Sequence, residues 1–162
     1  MAETRPAVMT GGCQCGAVRY AVFARPDDPH ICHCRMCQKA FGSFFAPLAT
    51  VKTEDLTWTR GAPGVYASSE GVERGFCPAC GTPLTFQYVN TDWISVSIGS
   101  LDSPADMAPV RQYGIEARAP WFDGLPALPA LRTEEDSAPV PEEMLKSRQH
   151  PDHDTDRWPP AG

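Results

Sequence analysis

The sequence predicts a mainly β protein built as one domain. Its 162 residues include 17 prolines and 13 glycines, a content that favours turns and short strands over long helices. Short segments of β-branched and aromatic residues recur between these breakers, several of them alternating in polarity. With 42% hydrophobic residues, the chain can bury a modest core of single-domain size. We expect a flexible start over residues 1–10, a folded domain over 11–132 and a tail over 133–162.

The strand-like segments are each bounded by glycine, proline or polar residues. In chain order they are AVRYAVFA (17–24), GSFFAPLATV (42–51), LTWTR (56–60), GVYASS (64–69) and WISVSIGSL (93–101). Two more flank a CPACG turn within residues 74–89. RPDDPH (25–30) predicts a loop, and APWFDGLPAL (119–128) predicts turns around an aromatic anchor.

The tail is acidic and rich in proline. It holds eight acidic residues against Lys146, Arg148 and Arg157, so it carries −5 of the total charge of −6. This composition predicts a disordered or loosely ordered segment, with a short helix around PEEMLKSR (141–148) as one option. We expect His150 and His153, which lie in it, to be solvated rather than metal ligands.

Charge and hydropathy limit the partners and the location. The remaining body carries only −1, so neither part has the basic excess of a nucleic-acid-binding protein. The sequence shows no signal peptide and no run of roughly 18 apolar residues, so we expect a cytoplasmic protein without a membrane span. Seven cysteines in a reducing compartment indicate metal or thiol chemistry rather than disulfides.

The seven cysteines fall into two pairs and one triplet: Cys13 with Cys15, Cys77 with Cys80, and Cys32, Cys34 and Cys37. Structural zinc sites are closed by four protein ligands, whereas catalytic zinc sites commonly have three and keep one position open. The economical assignment is a closed structural site from the two pairs and an open site from the triplet.

Three alternatives remain at this point. The triplet could be completed by His33 or His30 as a second closed site, with His33 otherwise facing solvent or capping a turn. Iron–sulfur clusters also take thiolates, but two clusters would usually need eight cysteines. Finally, the four cysteines of the two pairs could be buried without any metal.

An open three-thiolate zinc would suit an incoming thiol. Its formal charge of about −1 makes it a poor generator of hydroxide, but zinc stabilises thiolates. A bound substrate thiolate would bring the charge to about −2, which calls for a nearby cation. The candidates by position are Arg35, Lys39 and Arg74, with Ser69 and Glu73 as weaker ones.

The motifs GGCQCGAVRY, CHCRMCQKAFGS, ERGFCPACGTPL, VSIGSLDSP and APWFDGLP occur in this order between residues 11 and 126. Together they resemble the glutathione-dependent formaldehyde-activating enzyme family, which also includes centromere protein V. All seven cysteines fall on the resemblance. It implies a tent-like fold of small packed sheets stabilised by two zinc ions, with the same four-plus-three division of ligands.

The resemblance also implies an activity, the joining of glutathione and formaldehyde into S-(hydroxymethyl)glutathione by a carbon–sulfur lyase acting in reverse. We therefore expect an enzyme whose partners are a small thiol such as glutathione and a small aldehyde or other electrophile. The alternative is a zinc-scaffolded thiol carrier or protein-binding module without chemistry. Nucleic-acid association, suggested only by the centromere protein, is disfavoured by the charge, and the oligomeric state is not predicted.

Overall fold

The computed structural model describes residues 5–135, 144 and 146–158. Within them the chain forms ten strands and one α-helix, α1 (Arg35–Phe41). The strands are β1 (Met9–Gly12), β2 (Arg19–Val22), β3 (Asp27–Cys32), β4 (Ala46–Lys52), β5 (Leu56–Arg60), β6 (Gly64–Ser69), β7 (Val72–Phe76), β8 (Pro83–Tyr88), β9 (Trp93–Ser97) and β10 (Arg111–Tyr113). The prediction of a mainly β protein with small sheets is confirmed.

The strands form two sheets. A three-stranded antiparallel sheet has the order β1-β2-β5, and a seven-stranded sheet has the order β10-β3-β4-β9-β8-β7-β6. In the larger sheet β10 pairs with β3 in parallel, whereas the other pairs are antiparallel. In this sheet β3 lies beside β10 and is separated from β9 by β4. The triplet of cysteines begins at the last residue of β3, so it lies near strands from late in the chain.

Most predicted strands are present, and two of them, β5 and β6, match the predicted segments end to end. The loop predicted at residues 25–30 is wrong, because β3 begins at Asp27. A register shift between Asp27 and His30 accommodates Pro29, and Asp28 has a positive φ of 47°. A bulge of this kind lets residues typical of loops lie within a strand.

The core lies between the two sheets. Tyr20 and Val22 of β2 pack with Leu84 of β8 and Val96 of β9, and each of these side chains is fully buried. Burying such side chains contributes roughly 1.5–3 kcal/mol each. The Tyr20 hydroxyl remains paired in this apolar setting, because it lies 2.7 Å from Ser100 Oγ.

The described end of the tail lacks helix or strand over residues 146–158, but part of it packs on the domain. His150 is 3% exposed, so the expectation that it is solvated is wrong, whereas His153 is exposed as expected. The His150 backbone N–H donates to the carbonyl of Gln14, and Asp154 forms an ion pair of 2.6 Å with Arg19. Burial lowers the pKa of His150. Half of the helix proposed at 141–148 lies outside the described residues, and residues 146–148 do not form a helix.

No helix among the described residues has the length and apolar character needed to cross a bilayer.

Candidate metal centres and the adjoining pocket

Two turns from distant parts of the chain meet in a cluster of four sulfurs. Cys13 and Cys15 lie on the turn between β1 and β2, and Cys77 and Cys80 lie on the turn between β7 and β8. Their four Sγ atoms are all within 4.8 Å of one another. This closed cluster therefore joins the three-stranded sheet to the seven-stranded sheet.

The sulfur spacing in the closed cluster fits a tetrahedral metal. Cys15 Sγ lies 3.6 Å from Cys13 Sγ and 3.8 Å from Cys77 Sγ. Four sulfurs about 2.3 Å from a zinc ion would be separated by roughly 3.8 Å. Backbone amides point inward as they do at such sites, since the Val18 N–H donates to Cys13 Sγ over 3.3 Å.

When no metal is bound, the pKa of Cys80 is shifted in the opposite direction from those of the other three thiols of the closed cluster. Burial raises the pKa of Cys13, Cys15 and Cys77. Burial acts in the same direction on Cys80, but hydrogen bonds with Thr82 lower its pKa to about 6. Because metal ligation requires thiolates, binding at this cluster would release protons from the buried cysteines.

The second cluster is the open cluster of Cys32, Cys34 and Cys37, whose Sγ atoms also lie within 4.8 Å of one another. Cys32 ends β3, Cys34 is the N-cap of α1, and Cys37 lies in the helix. The Cys34 sulfur accepts a hydrogen bond of 3.4 Å from the Cys37 amide. Gly114 packs on this turn with a φ of 65°, and a Cβ there would lie 2.7 Å from the Cys34 nitrogen.

Arg74 contacts the open cluster from β7. Its Nη2 donates to Cys37 Sγ over 3.3 Å, its Nε donates to Ser68 Oγ over 3.0 Å, and the residue is 3% exposed. The guanidinium also lies over the ring of Phe86, 4.9 Å from its centroid. Its Nη1 is buried and has no hydrogen-bond partner among the described residues.

Two thiols of the open cluster have pKa values shifted in opposite directions. The hydrogen bond from Cys32, opposed by burial and reinforced by Arg74, lowers the pKa of Cys37 to about 5. The same hydrogen bond, together with burial, raises the pKa of Cys32 well above its ordinary value. Without a metal, the cluster therefore holds a thiolate at Cys37 beside a buried cation.

The other candidates named beside Arg74 are exposed, and none of them has a hydrogen bond to the three sulfurs among the described contacts. Arg35 is exposed on α1 and contacts Gln38, and Lys39 is exposed on the same helix. Ser69 and Glu73 are exposed as well, and the serine that binds Arg74 is Ser68. Of the three predicted cations, the structure brings Arg74 to the sulfurs.

Neither His33 nor His30, the two histidines considered as a fourth ligand, lies with the sulfurs of the open cluster. Among the described residues, no imidazole or carboxylate lies with the three sulfurs inside 4.8 Å. His33 is fully buried rather than solvent-facing, with its Nε2 2.9 Å from Gln112 Oε1 and its ring against Phe122. His30 donates from Nδ1 to the Asp28 carbonyl over 2.7 Å.

A pocket of about 340 Å³ adjoins the open cluster, and Cys32 and Cys37 line one end of it. The strand register explains the rest of its lining, because paired residues of adjacent strands share a face. His30 pairs with Leu48 on β4, and Phe86 of β8 pairs with Ser95 of β9, so all four lie on the face that α1 partly covers.

Most residues of this pocket were not predicted from the sequence. They are Asp28, Leu48, Thr50, Phe86, Tyr88, Trp93, Ser95 and Tyr113, whereas His30 had been considered as a possible ligand of the triplet. The available signal was the alternation of Phe86 and Tyr88 along β8 and the presence of Trp93 in β9, but the sequence does not show which face meets the cysteines. The parallel pairing of β10 with β3, which delivers Tyr113, was not predicted at all.

Comparison with known proteins adds a family match. The model of the family described as glutathione-dependent formaldehyde-activating enzyme matches residues 8–116. A protein of Schizosaccharomyces pombe named as an uncharacterized lyase is 32% identical over 80 residues, which are 49% of this chain. The match covers 58% of that relative's length.

A solved structure is also similar. The crystal structure of a Rhodobacter sphaeroides protein from a structural genomics programme superposes with a TM-score of 0.53 at 28% identity. The superposition covers 64% of this chain and 99% of that one.

Proposed function

Because the chain belongs to the glutathione-dependent formaldehyde-activating enzyme family, we propose that it is a zinc-dependent carbon–sulfur lyase. In this proposal the open cluster binds a small thiol, glutathione or one like it, and the enzyme forms or breaks the adduct of that thiol with formaldehyde or another small electrophile. The observation that carries the proposal is the set of three clustered sulfurs, without a fourth described ligand, at the end of a pocket.

Two zinc ions per chain fit the two sulfur sets. The closed cluster would hold a structural ion, with the ligands Cys13, Cys15, Cys77 and Cys80. The open cluster would hold the second ion through Cys32, Cys34 and Cys37. All-thiolate sets favour zinc over harder metals such as magnesium or calcium, and four-plus-three is the ligand pattern of one structural and one catalytic zinc site.

A zinc ion bound by the open cluster would lower the pKa of an incoming thiol and keep its sulfur beside the pocket. The substrate sulfur then forms a bond to the carbonyl carbon of the aldehyde. The carbonyl π electrons move to oxygen, and the proton lost by the thiol reaches that oxygen through water at the pocket mouth. The product is an S-hydroxyalkyl adduct, and the reverse sequence breaks it into the same two reactants.

The protein's own contribution comes from Arg74 and from the pocket walls. The Arg74 guanidinium donates to Cys37 and thereby offsets part of the negative charge that the sulfurs accumulate when a fourth thiolate arrives. It acts through Cys37, so it is a positioning residue. The aromatic walls reduce the access of water and so strengthen this electrostatic effect.

Replacing Arg74 with glutamine is expected to lower kcat/KM by about 10- to 100-fold, because a buried sulfur anion loses its charged donor. Arg74→Lys should restore part of the loss, since it returns the charge without the paired donors. The control is Arg25→Gln, which removes an equal charge from an exposed residue that binds the Asp106 carbonyl. An equal loss in the lysine and glutamine variants would contradict the charge-based role.

The proposed function is tested by the rate at which metal-loaded protein forms and breaks S-(hydroxymethyl)glutathione. Because thiols add to formaldehyde unaided, exchange should be followed by NMR at equilibrium, with the uncatalysed rate measured in the same buffer. We expect a clear acceleration that is lost with a strong chelator and regained with zinc. An unchanged rate with measurable glutathione binding would instead identify a thiol carrier.

A further inference from the structure

We propose that the pocket beside the open cluster selects a substrate with an apolar, planar body and no net negative charge, such as a small arylmethyl thiol. This inference rests on the proposed function, since it names the substrate class of the same site. It departs from glutathione, which carries two carboxylates and one ammonium group besides its thiol.

Four aromatic side chains contribute to the walls of the pocket. Phe86 and Tyr88 of β8 contact each other edge to face, with centroids 5.0 Å apart. Trp93 from β9 and Tyr113 from β10 line the pocket with them. Tyr88, Trp93 and Tyr113 are each more than 40% exposed. Aromatic side chains around a cavity of this size offer stacking surface to a flat apolar ligand.

The polar groups of the pocket suit an uncharged ligand. Thr50 Oγ1 and Ser95 Oγ lie 2.9 Å apart and both line the pocket, so they can exchange hydrogen bonds with a hydroxyl or carbonyl group. The carboxylate in the lining is Asp28, which accepts from the Tyr113 hydroxyl over 3.0 Å. Because Arg111 lies 2.6 Å from Asp28, the pair is close to neutral and offers little attraction to an anionic ligand.

The cations near the pocket already have partners. Arg111 Nε lies 2.6 Å from an Asp28 oxygen, and Lys52 lies 3.7 Å from Glu54. Arg74 is bound to Cys37 and Ser68 behind the ring of Phe86, and its Nη1 has no hydrogen-bond partner among the described residues, but Arg74 does not line the pocket. In the described part of the chain, no lysine or arginine lines the pocket. The two carboxylates of glutathione would therefore meet no permanent cation in the lining, where the basic side chain is the His30 imidazole, whose Nδ1 binds the Asp28 carbonyl.

The test is calorimetric binding of benzyl mercaptan and of glutathione to the zinc-loaded protein. Both thiols would bind zinc through sulfur, so the difference between their dissociation constants reports mainly on how the pocket binds the rest of each ligand. We expect benzyl mercaptan to bind at least ten-fold more tightly. Trp93→Ser should weaken benzyl mercaptan about five-fold and glutathione by much less, whereas Trp93→Phe, which keeps an aromatic wall, should preserve the preference. Trp93 is half exposed, so both variants should fold.

Glutathione binding as tight as benzyl mercaptan, or benzyl mercaptan binding that is indifferent to Trp93→Ser, would overturn the inference. Parallel rate assays separate this result from failure of the proposed function. Tight, catalytically productive glutathione binding would overturn the substrate class and leave the lyase in place. Preferred binding of benzyl mercaptan without acceleration of either thiol would support the pocket's selectivity and refute the catalysis.

Discussion

Replacing Cys77 with serine is expected to lower the melting temperature by about 10–20 °C. The closed cluster links turns that are 62 residues apart in sequence, and the binding free energy of a metal held there contributes directly to folding. A loss of about 5 kcal/mol corresponds to a shift of this size for a protein of roughly 150 residues. Thermal unfolding followed by circular dichroism measures it, and a strong chelator should have a similar effect on the wild type.

The matched control is Cys37→Ser in the open cluster. Cys77 and Cys37 are both buried, at 0% and 3% exposure, so the cost of placing a hydroxyl in the interior is comparable. The cysteines of the open cluster connect only β3 and α1, which are consecutive in sequence. Replacing Cys37 should therefore lower the melting temperature by only a few degrees. Cys32→Ser should lower it by no more than Cys37→Ser does. Equal shifts for Cys77→Ser and Cys37→Ser would refute the division into structural and open clusters.

Replacing Cys34 with serine is expected to reduce the catalysed rate on the order of 10³-fold, toward the uncatalysed rate. Two sulfurs would remain for the metal, and the several kcal/mol that metal ligation contributes to the reaction would be lost. The fold should persist, because Cys34 is the N-cap of α1 and serine is among the preferred N-cap residues. Exchange NMR measures the rate, and circular dichroism verifies the fold.

The control for this variant lies on the same helix. Met36 is 51% exposed and is absent from the pocket lining, so Met36→Ala should keep the wild-type rate. A Cys34→Ser protein that remains folded, retains metal in the closed cluster and still catalyses at the wild-type rate would remove the open cluster from the reaction.

Local patterns were enough to predict most strands and the grouping of the cysteines. Glycine and proline mark the strand ends, and the CPACG turn is a local pattern typical of metal-binding cysteine pairs. The two cysteine pairs meet because β7 and β8 form a hairpin beside the β1–β2 turn, as ligand counting alone had suggested. These features depend on residues close together in sequence or on the number of ligands a metal needs.

The features that could not be predicted depend on tertiary contacts. β3 contains an Asp-Pro pair, which is normal for a loop, and it exists because β4 and β10 flank it. Polar His150 is buried because Gln14 and Thr155 satisfy its hydrogen bonds. Arg74 was one of three candidate cations, but nothing in the local sequence favours it over Arg35 and Lys39. It reaches Cys37 from β7, where it pairs with Phe86 of the adjacent β8.

The number of zinc ions per chain in freshly purified, reduced protein tests the central claim most directly. Elemental analysis against an accurate protein concentration should give two zinc ions per chain for the wild type. It should give one for Cys34→Ser, in which the closed cluster is intact. A single zinc ion per wild-type chain, unchanged by Cys34→Ser, would show that the triplet does not hold metal and would contradict the account.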